Sequence, residues 1–225
     1  MAWPKLLVLV RHAESEGNVR SADERTEYNV STWEYPLTPK GRKQAACTGE
    51  FVRNKFGHFG VRYVSYYKRS KQTMRIMCPG AKVYEDPRLA EAQRGHFHVL
   101  TREAMTRTHP EELLRKNREG IYHFRPFGGE NWPDIELRIH SFLGTLARDC
   151  DGQKVLMVVH GNWLILFQRL IHHFSIREAI RRYKAARFEN ASVTWYKRQV
   201  VKGQSRLVLA GENYVPWKNH SKQKG

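Results

Sequence analysis

The chain has 225 residues, 40% of them hydrophobic and 12% aromatic, enough apolar material for one well-buried domain and too much for a disordered chain. Lysine and arginine outnumber aspartate and glutamate 39 to 22, a formal net charge of +17. That excess points to an anionic partner: nucleic acid, an acidic surface or acidic small molecules.

The opening Met1–Lys5 lacks the basic n-region of a secretory signal. Leu6–Val10 is a short Leu/Val-rich run that ends in Arg11, His12, Ala13 and Glu14. Such a run predicts a buried strand of a parallel sheet, and parallel sheets bind ligands at their strand C-termini. Arg11 and His12 are therefore expected at the mouth of a site. A guanidinium grips phosphate through paired hydrogen bonds, and an imidazole can serve as nucleophile or acid/base. Residues 19–35 are polar and aperiodic and are expected to form a long loop over the site. Thr38 and Pro39 predict the cap and first position of a helix running to about Phe56.

A second strand is expected over Val61–Ser65, followed by a helix whose first turn carries Arg69. A third short strand is expected at Lys82–Tyr84. Glu91 lies in the segment Asp86–Gly95. His96 and His98 are expected in a loop near the mouth, without the acidic or Cys partners a metal would need. Pro110-Glu111-Glu112 opens a helix. Phe127–Asn131 is a turn, and the next helix buries Ile135, Ile139, Phe142, Leu143 and Leu146 on one face.

Val155–Gly161, VLMVVHG, repeats the first design: a buried strand, then His160, then Gly161 and an apolar helix over 162–173. That helix is interrupted by Gln168 and Arg169 and is too short to span a bilayer. Ser175-Ile176-Arg177-Glu178 reads as a capping box opening another helix. Residues 189–195 form a strand that pairs with Arg206–Ala210 in a hairpin. The last fifty residues hold 12 Lys/Arg against 3 Asp/Glu. Residues 218–225 are expected to be a disordered basic tail after a single domain over 1–217. The three cysteines, Cys47, Cys78 and Cys150, are widely spaced and odd in number, which argues against a disulfide framework and for a reducing, cytoplasmic setting.

These elements resemble the histidine phosphatase superfamily, in its phosphoglycerate mutase-like branch. The resemblance rests on Arg11-His12-Ala13-Glu14 with Asn18, where Ala13 replaces the family's usual Gly. It rests further on Leu37-Thr38 with Gly41 and Gln44-Ala45, on Ser65, Arg69 and Thr73, on Leu89, Glu91 and Gly95, and on His160-Gly161. It covers roughly residues 5–200. Within it, Gly120–Leu146, including Gly128-Gly129-Glu130, Asp134 and Arg138, is most similar to a subgroup of phosphoglycerate mutase-like proteins. The fold it implies is α/β: a three-layer α/β/α sandwich around a mostly parallel central sheet.

The resemblance implies that His12 attacks phosphorus and forms a phosphohistidine. Arg11, Arg69 and His160 would surround the phosphoryl oxygens, with Asn18, Ser15 and Gly161 as further substrate contacts. Glu91 would protonate the leaving oxygen and then activate water. No metal or cofactor is called for. The implied partner is a small phosphorylated substrate, and the basic excess suits one with several negative charges. A phosphoglycerate mutase-type isomerase would use the same histidines, but its longer insertion and further basic and aromatic motifs after the first His are not seen. A purely binding protein would not need His12, Glu91 and His160 together. Nothing resembles an RNP, KH or helix-turn-helix signature, so nucleic acid is disfavoured as partner, as is a membrane.

Overall fold

Leu6–Val10 have no polar side chain to place in water, and their alternate side chains enter two different cores. The computed structural model describes residues 3–28, 30–185 and 188–220, except the side chains of 219 and 220. Its six strands are β1 (Leu6–Arg11), β2 (Val61–Val64), β3 (Tyr84–Glu85), β4 (Lys154–Val159), β5 (Val193–Val201) and β6 (Gln204–Tyr214). They form one sheet in the order β3-β2-β4-β1-β5-β6. The first four are mutually parallel; β5 runs antiparallel to β1, and β6 to β5. The sheet is mostly parallel, as expected.

The helices are α1 (Glu16–Val19), α2 (Ala22–Glu27), α3 (Pro39–Phe56), α4 (Lys68–Met77), α5 (His96–Val99), α6 (Arg102–Thr108), α7 (Pro110–His123, broken at Gly120), α8 (Trp132–Asp149), α9 (Gly161–His172), α10 (Ile176–Ala185) and α11 (Pro216–His220). One core joins Leu7 and Leu9 of β1 and Val155, Met157 and Val159 of β4 to α8, α9 and α10. The other joins Leu6, Val8 and Val10, with Leu156 and Val158, to Val52 and Phe56 of α3 and Met74 and Met77 of α4. Period-two alternation on strands buried on both faces thus produces the three layers.

Helix α8 buries Ile135, Ile139, Phe142 and Leu146 completely. Each such side chain contributes about 1.5–3 kcal/mol by leaving water. Helix α3 starts where its sequence predicts: the Thr38 hydroxyl accepts from Gly41 N at 2.9 Å. A Cβ at Gly41 would lie 2.0 Å from the Glu14 carbonyl oxygen, so only glycine lets α3 approach the end of β1 this closely. The β5–β6 hairpin turns through Lys202 and Gly203, both at positive φ, the geometry of a type I′ turn.

Residues 19–35, expected as loop, contain α2. Its Ser21–Glu24 capping box is present, with Glu24 N to Ser21 Oγ at 3.2 Å and Ser21 N to Glu24 Oε2 at 2.6 Å. At six residues the helix is too short to display a periodicity. The His96–Val99 segment is likewise helical, as α5. The third strand lies at Tyr84–Glu85 instead of Lys82–Tyr84. The predicted box at Ser175 is half formed: Ser175 Oγ accepts from Glu178 N at 3.1 Å, while the Glu178 carboxylate turns to Arg181 and Arg182. Of the tail expected as disordered over 218–225, residues 218–220 instead belong to α11, and the rest lies outside the described residues. Among those described, no helix is long and apolar enough to cross a membrane.

Candidate active site

The β1/β4 register pairs Arg11 with Val159, so the next residues, His12 and His160, leave the sheet side by side. His12 N donates to Val159 O at 2.9 Å. The imidazole centroids are 5.1 Å apart, and the residues are 3% and 0% exposed.

His12 Nδ1 lies 2.8 Å from the Ala13 carbonyl oxygen. A carbonyl only accepts, so Nδ1 carries the proton and Nε2 presents a lone pair. Arg69 Nε donates to that Nε2 at 3.1 Å. Burial first, then the charges of Arg69 and Arg11, hold the His12 pKa well below the usual histidine range. The ring is therefore neutral at physiological pH.

His160 is held differently. Its Nε2 lies 2.8 Å from Ser65 Oγ and 3.4 Å from Ser70 Oγ, and its Nδ1 is 3.3 Å from Arg69 Nη2. A guanidinium only donates, so Nδ1 accepts and Nε2–H donates to Ser65. The Tyr67 ring packs edge-on at 4.8 Å. Burial, then Arg69, His12 and Arg11, push His160 below the usual range as well.

Arg69 sits in the first turn of α4, and only 8% of it is exposed. Besides the two imidazoles it donates from Nη1 to Thr32 O at 2.7 Å, and its guanidinium lies over the Tyr67 ring at 4.5 Å. Burial lowers its pKa to about 10, which leaves it charged at neutral pH. One turn on, the Thr73 hydroxyl accepts from Ala13 N at 3.0 Å and donates to Arg69 O at 2.7 Å, tying α4 to the end of β1. Arg11 Nη1 bonds the Phe188 carbonyl. A Cβ on Gly161 would lie 3.5 Å from Arg11 Nε, so that guanidinium covers the start of α9.

Glu91 comes from the loop after the single 3-10 turn Pro87–Leu89. Its carboxylate accepts from Ala92 N at 3.0 Å and from Asn162 N, in the first turn of α9, at 3.4 Å. Its charge is felt by Arg69. Arg138 fixes the loop, donating from Nη1 to Arg88 O and Ala90 O at 3.0 and 3.1 Å. The same guanidinium grips Glu130 at 2.8 and 3.0 Å, and Glu130 accepts from Gln93 N at 3.1 Å. The Gly-Gly-Glu…Arg string thus braces both sides of Glu91.

Ser15 and Asn18 stand beside the histidine strand. Asn18 Oδ1 accepts from Ser15 N and Ser15 Oγ, both at 3.0 Å, and from Asn190 Nδ2 at 3.2 Å. Its carbonyl faces the protein, and the Ser15 hydroxyl is spent on it. Asn190 also donates to His12 O at 3.0 Å. The residues that sequence reasoning left without a role are Ser70, Tyr67, Gln93, Asn190 and the Thr32 and Phe188 carbonyls. Ser70 and Tyr67 flank Arg69 closely enough for their position to have flagged them. A main-chain carbonyl leaves no mark in a sequence.

Two neutral imidazoles, two guanidiniums and one carboxylate around a single spot can bind a dianionic phosphoryl group and offer it an unprotonated ring nitrogen. A sequence profile of the histidine phosphatase superfamily (branch 1) matches residues 7–210. The 2,3-bisphosphoglycerate-dependent phosphoglycerate mutase 2 of Gloeobacter violaceus is 30% identical over 178 residues, 76% of this chain and 77% of that one. Bacillus stearothermophilus YhfR superposes with a TM-score of 0.73 at 24% identity, over 93% of this chain and 97% of that one. The alpha-ribazole phosphatase of Shigella flexneri superposes with a TM-score of 0.72 at 20% identity, over 93% and 98%. Both structures share the fold.

Proposed function

The chain belongs to the histidine phosphatase superfamily (branch 1), and from that premise we propose that it hydrolyses small phosphomonoesters through a phosphohistidine on His12. The observation that carries this reading is the bond from His12 Nδ1 to the Ala13 carbonyl. It leaves Nε2 unprotonated and beside Arg69.

His12 Nε2 forms a bond to phosphorus as the P–O ester bond breaks, and Glu91, entering this step as the carboxylic acid, gives its proton to the leaving oxygen. The resulting Glu91 carboxylate takes a proton from water, whose oxygen attacks phosphorus, breaks the P–N bond and releases inorganic phosphate. Arg11, Arg69 and His160 neutralise the phosphoryl oxygens as charge spreads over them. Gly161, Asn18 and, through Asn18, Ser15 line the same spot. We assign residues 1–217 to this catalytic unit, because Phe188 and Asn190 reach back to Arg11 and His12. The +17 net charge suits a substrate with more than one negative group.

A second reading is favoured by the mutase name of the Gloeobacter relative. In it the phosphoryl group passes from His12 to another substrate hydroxyl instead of water. Both readings require the same intermediate. Labelling with a radioactive phosphomonoester should give acid-labile, base-stable label on the wild type and none on His12→Ala, with turnover reduced about 10⁴-fold or more. Persistent label in the variant sinks the assignment. Assaying phosphate release and phosphoglycerate interconversion in parallel separates hydrolysis from transfer.

A further inference from the structure

Proton transfer from Glu91 needs the carboxyl and the phosphoryl group in one frame, because a misplacement of about 1 Å can cost about 10²-fold in rate. The two stand on separate parts of the fold. The proposed phosphoryl ligands sit at the ends of β1 and β4 and in the first turn of α4. Glu91 lies in the stretch between the 3-10 turn and α5, with no helix or strand of its own. Gln93, two residues on, bridges the gap. Its Nε2 donates to Tyr67 Oη at 2.8 Å and lies 3.3 Å from Tyr66 Oη. Its main chain is clamped from the other side: Gln93 N donates to Glu130 Oε2 at 3.1 Å, and Gln93 O accepts from Glu130 N at 2.9 Å.

Tyr67 is 1% exposed and stands at the N-cap of α4. The Arg69 guanidinium lies over its ring at 4.5 Å, and the His160 imidazole meets it edge-on at 4.8 Å. The Tyr66 ring packs against it at 4.8 Å. A ring enclosed in this way keeps its hydroxyl in one place. Burial raises the phenol pKa, so the group is a neutral hydroxyl that accepts from the Gln93 amide. One side chain thus touches Arg69 and His160 with its ring and the Glu91 loop with its oxygen.

We infer that Gln93 and Tyr67 are positioning residues for proton transfer by Glu91: their amide–phenol hydrogen bond fixes the Glu91 loop against the ring that seats Arg69 and His160, and so sets where the carboxyl stands relative to the leaving oxygen. This rests on the phosphohistidine reading of the His12 site and adds the link between its acid and its anion-binding groups. Neither residue touches the substrate. They act through the placement of Glu91, so their loss should be felt where protonation of the leaving group limits the rate.

The test compares glycerol 3-phosphate, an alkyl ester, with p-nitrophenyl phosphate, whose leaving group needs little protonation. Gln93→Leu is similar in size and cannot donate. Tyr67→Phe keeps the ring and removes the hydroxyl. Each should lower kcat about tenfold on the alkyl ester, the worth of one hydrogen bond, and only about twofold on the aryl ester. The double variant should be no worse than either single one, because both changes break the same bond. A bond that only stabilises the fold would lower both rates together or neither. Equal falls on the two substrates, no fall on either, or a double variant that multiplies the single losses overturns the proposal. Labelling with radioactive p-nitrophenyl phosphate on the same samples keeps the two readings apart. Label on the wild type and the variants, together with equal falls, brings down the positioning role alone. Label absent from the wild type brings down the phosphohistidine reading and this inference with it.

Discussion

The floor and the cover of the site are built on different physical terms. The floor is the paired ends of β1 and β4 with the first turn of α4. Its histidines and Arg69 are buried, and each ring nitrogen has a partner whose chemistry sets its protonation. The cover is the 20–35 segment with α5 and the Glu91 loop. It is more exposed, its helices are four to six residues long, and it is pinned by separate polar links such as Arg69 to Thr32 O and Arg138 to Ala90 O. A floor fixed by sheet register can hold a reacting atom to within tenths of an ångström. A cover of short segments can vary in sequence without disturbing that geometry. Under the proposed function the division puts phosphoryl chemistry below and leaving-group protonation above.

In the proposed mechanism Glu91 is the residue through which the cover enters the chemistry, so replacing it tests the division most severely. Glu91→Gln keeps the shape and removes the proton. For an alkyl phosphate, a poor leaving group, turnover should fall about 10²–10³-fold, the usual worth of a positioned general acid. For p-nitrophenyl phosphate, whose leaving group needs little protonation, the loss should be about tenfold or less. Steady-state rates on the two substrates decide it. Equal losses would make Glu91 a structural member of the floor and erase the distinction.

The same division explains what could be read from the sequence. Val8–His12 and Val155–His160 are short, Val/Leu-rich apolar runs that end in polar residues, and their length and composition favour a buried strand delivering a side chain to an edge. Arg69 is expected in the first turn of the helix after β2, and its role comes from the resemblance carried by Ser65, Arg69 and Thr73, not from the local sequence. Helix α3, read from its Thr38 cap, and α9, read from its apolar run, lie within a residue or two of expectation, and α8 shows as the spacing of its buried face. The cover was not legible in this way. Helices α2 and α5 are too short for a hydrophobic period, and α2 announces itself only through its Ser21–Glu24 box. Asn18 and Ser15 are expected as substrate contacts, yet the Asn18 carbonyl is held by Ser15 and also by Asn190, 172 residues away. Long-range hydrogen bonds of this kind leave no local signal.

Within the floor, the two histidines differ in their anchors, and a smaller effect should expose the difference. The Ala13 carbonyl permits His12 one tautomer. The Ser65 hydroxyl can donate or accept, so His160 can exchange tautomers when Arg69 Nη2 turns from its Nδ1 to a phosphoryl oxygen. Ser65→Ala should lower kcat about tenfold, the cost of one buried hydrogen bond. With phosphate bound and Arg69 drawn away from Nδ1, nitrogen-15 shifts should also change, from a ring protonated mainly at Nε2 to a mixture. His12 shifts should stay put. An unchanged His160 spectrum alongside lost activity would mean that Ser65 acts on the packing of Tyr67 instead.

The smallest effect concerns stability and follows from keeping both imidazoles neutral. Burial first, then neighbouring arginines, depress both histidines in the folded chain, whereas in the unfolded chain each titrates near the ordinary value of about 6.5. Above that value neither state binds the proton, and the full stability is present. As the pH falls below it, the unfolded chain takes up protons that the folded site refuses, so stability is lost downward toward the folded-state values. Each histidine contributes a slope of up to about 1.4 kcal/mol per pH unit in that window. Urea unfolding at pH 7.5 and pH 5.5 should therefore show a marked loss for the wild type. His160→Gln should show a loss smaller by about 1 kcal/mol, because one of the two refusing groups is gone. Equal losses in the two proteins would mean that the folded chain protonates His160 as readily as the unfolded chain does. The floor would then carry one more positive charge at mildly acidic pH than its hydrogen bonds allow.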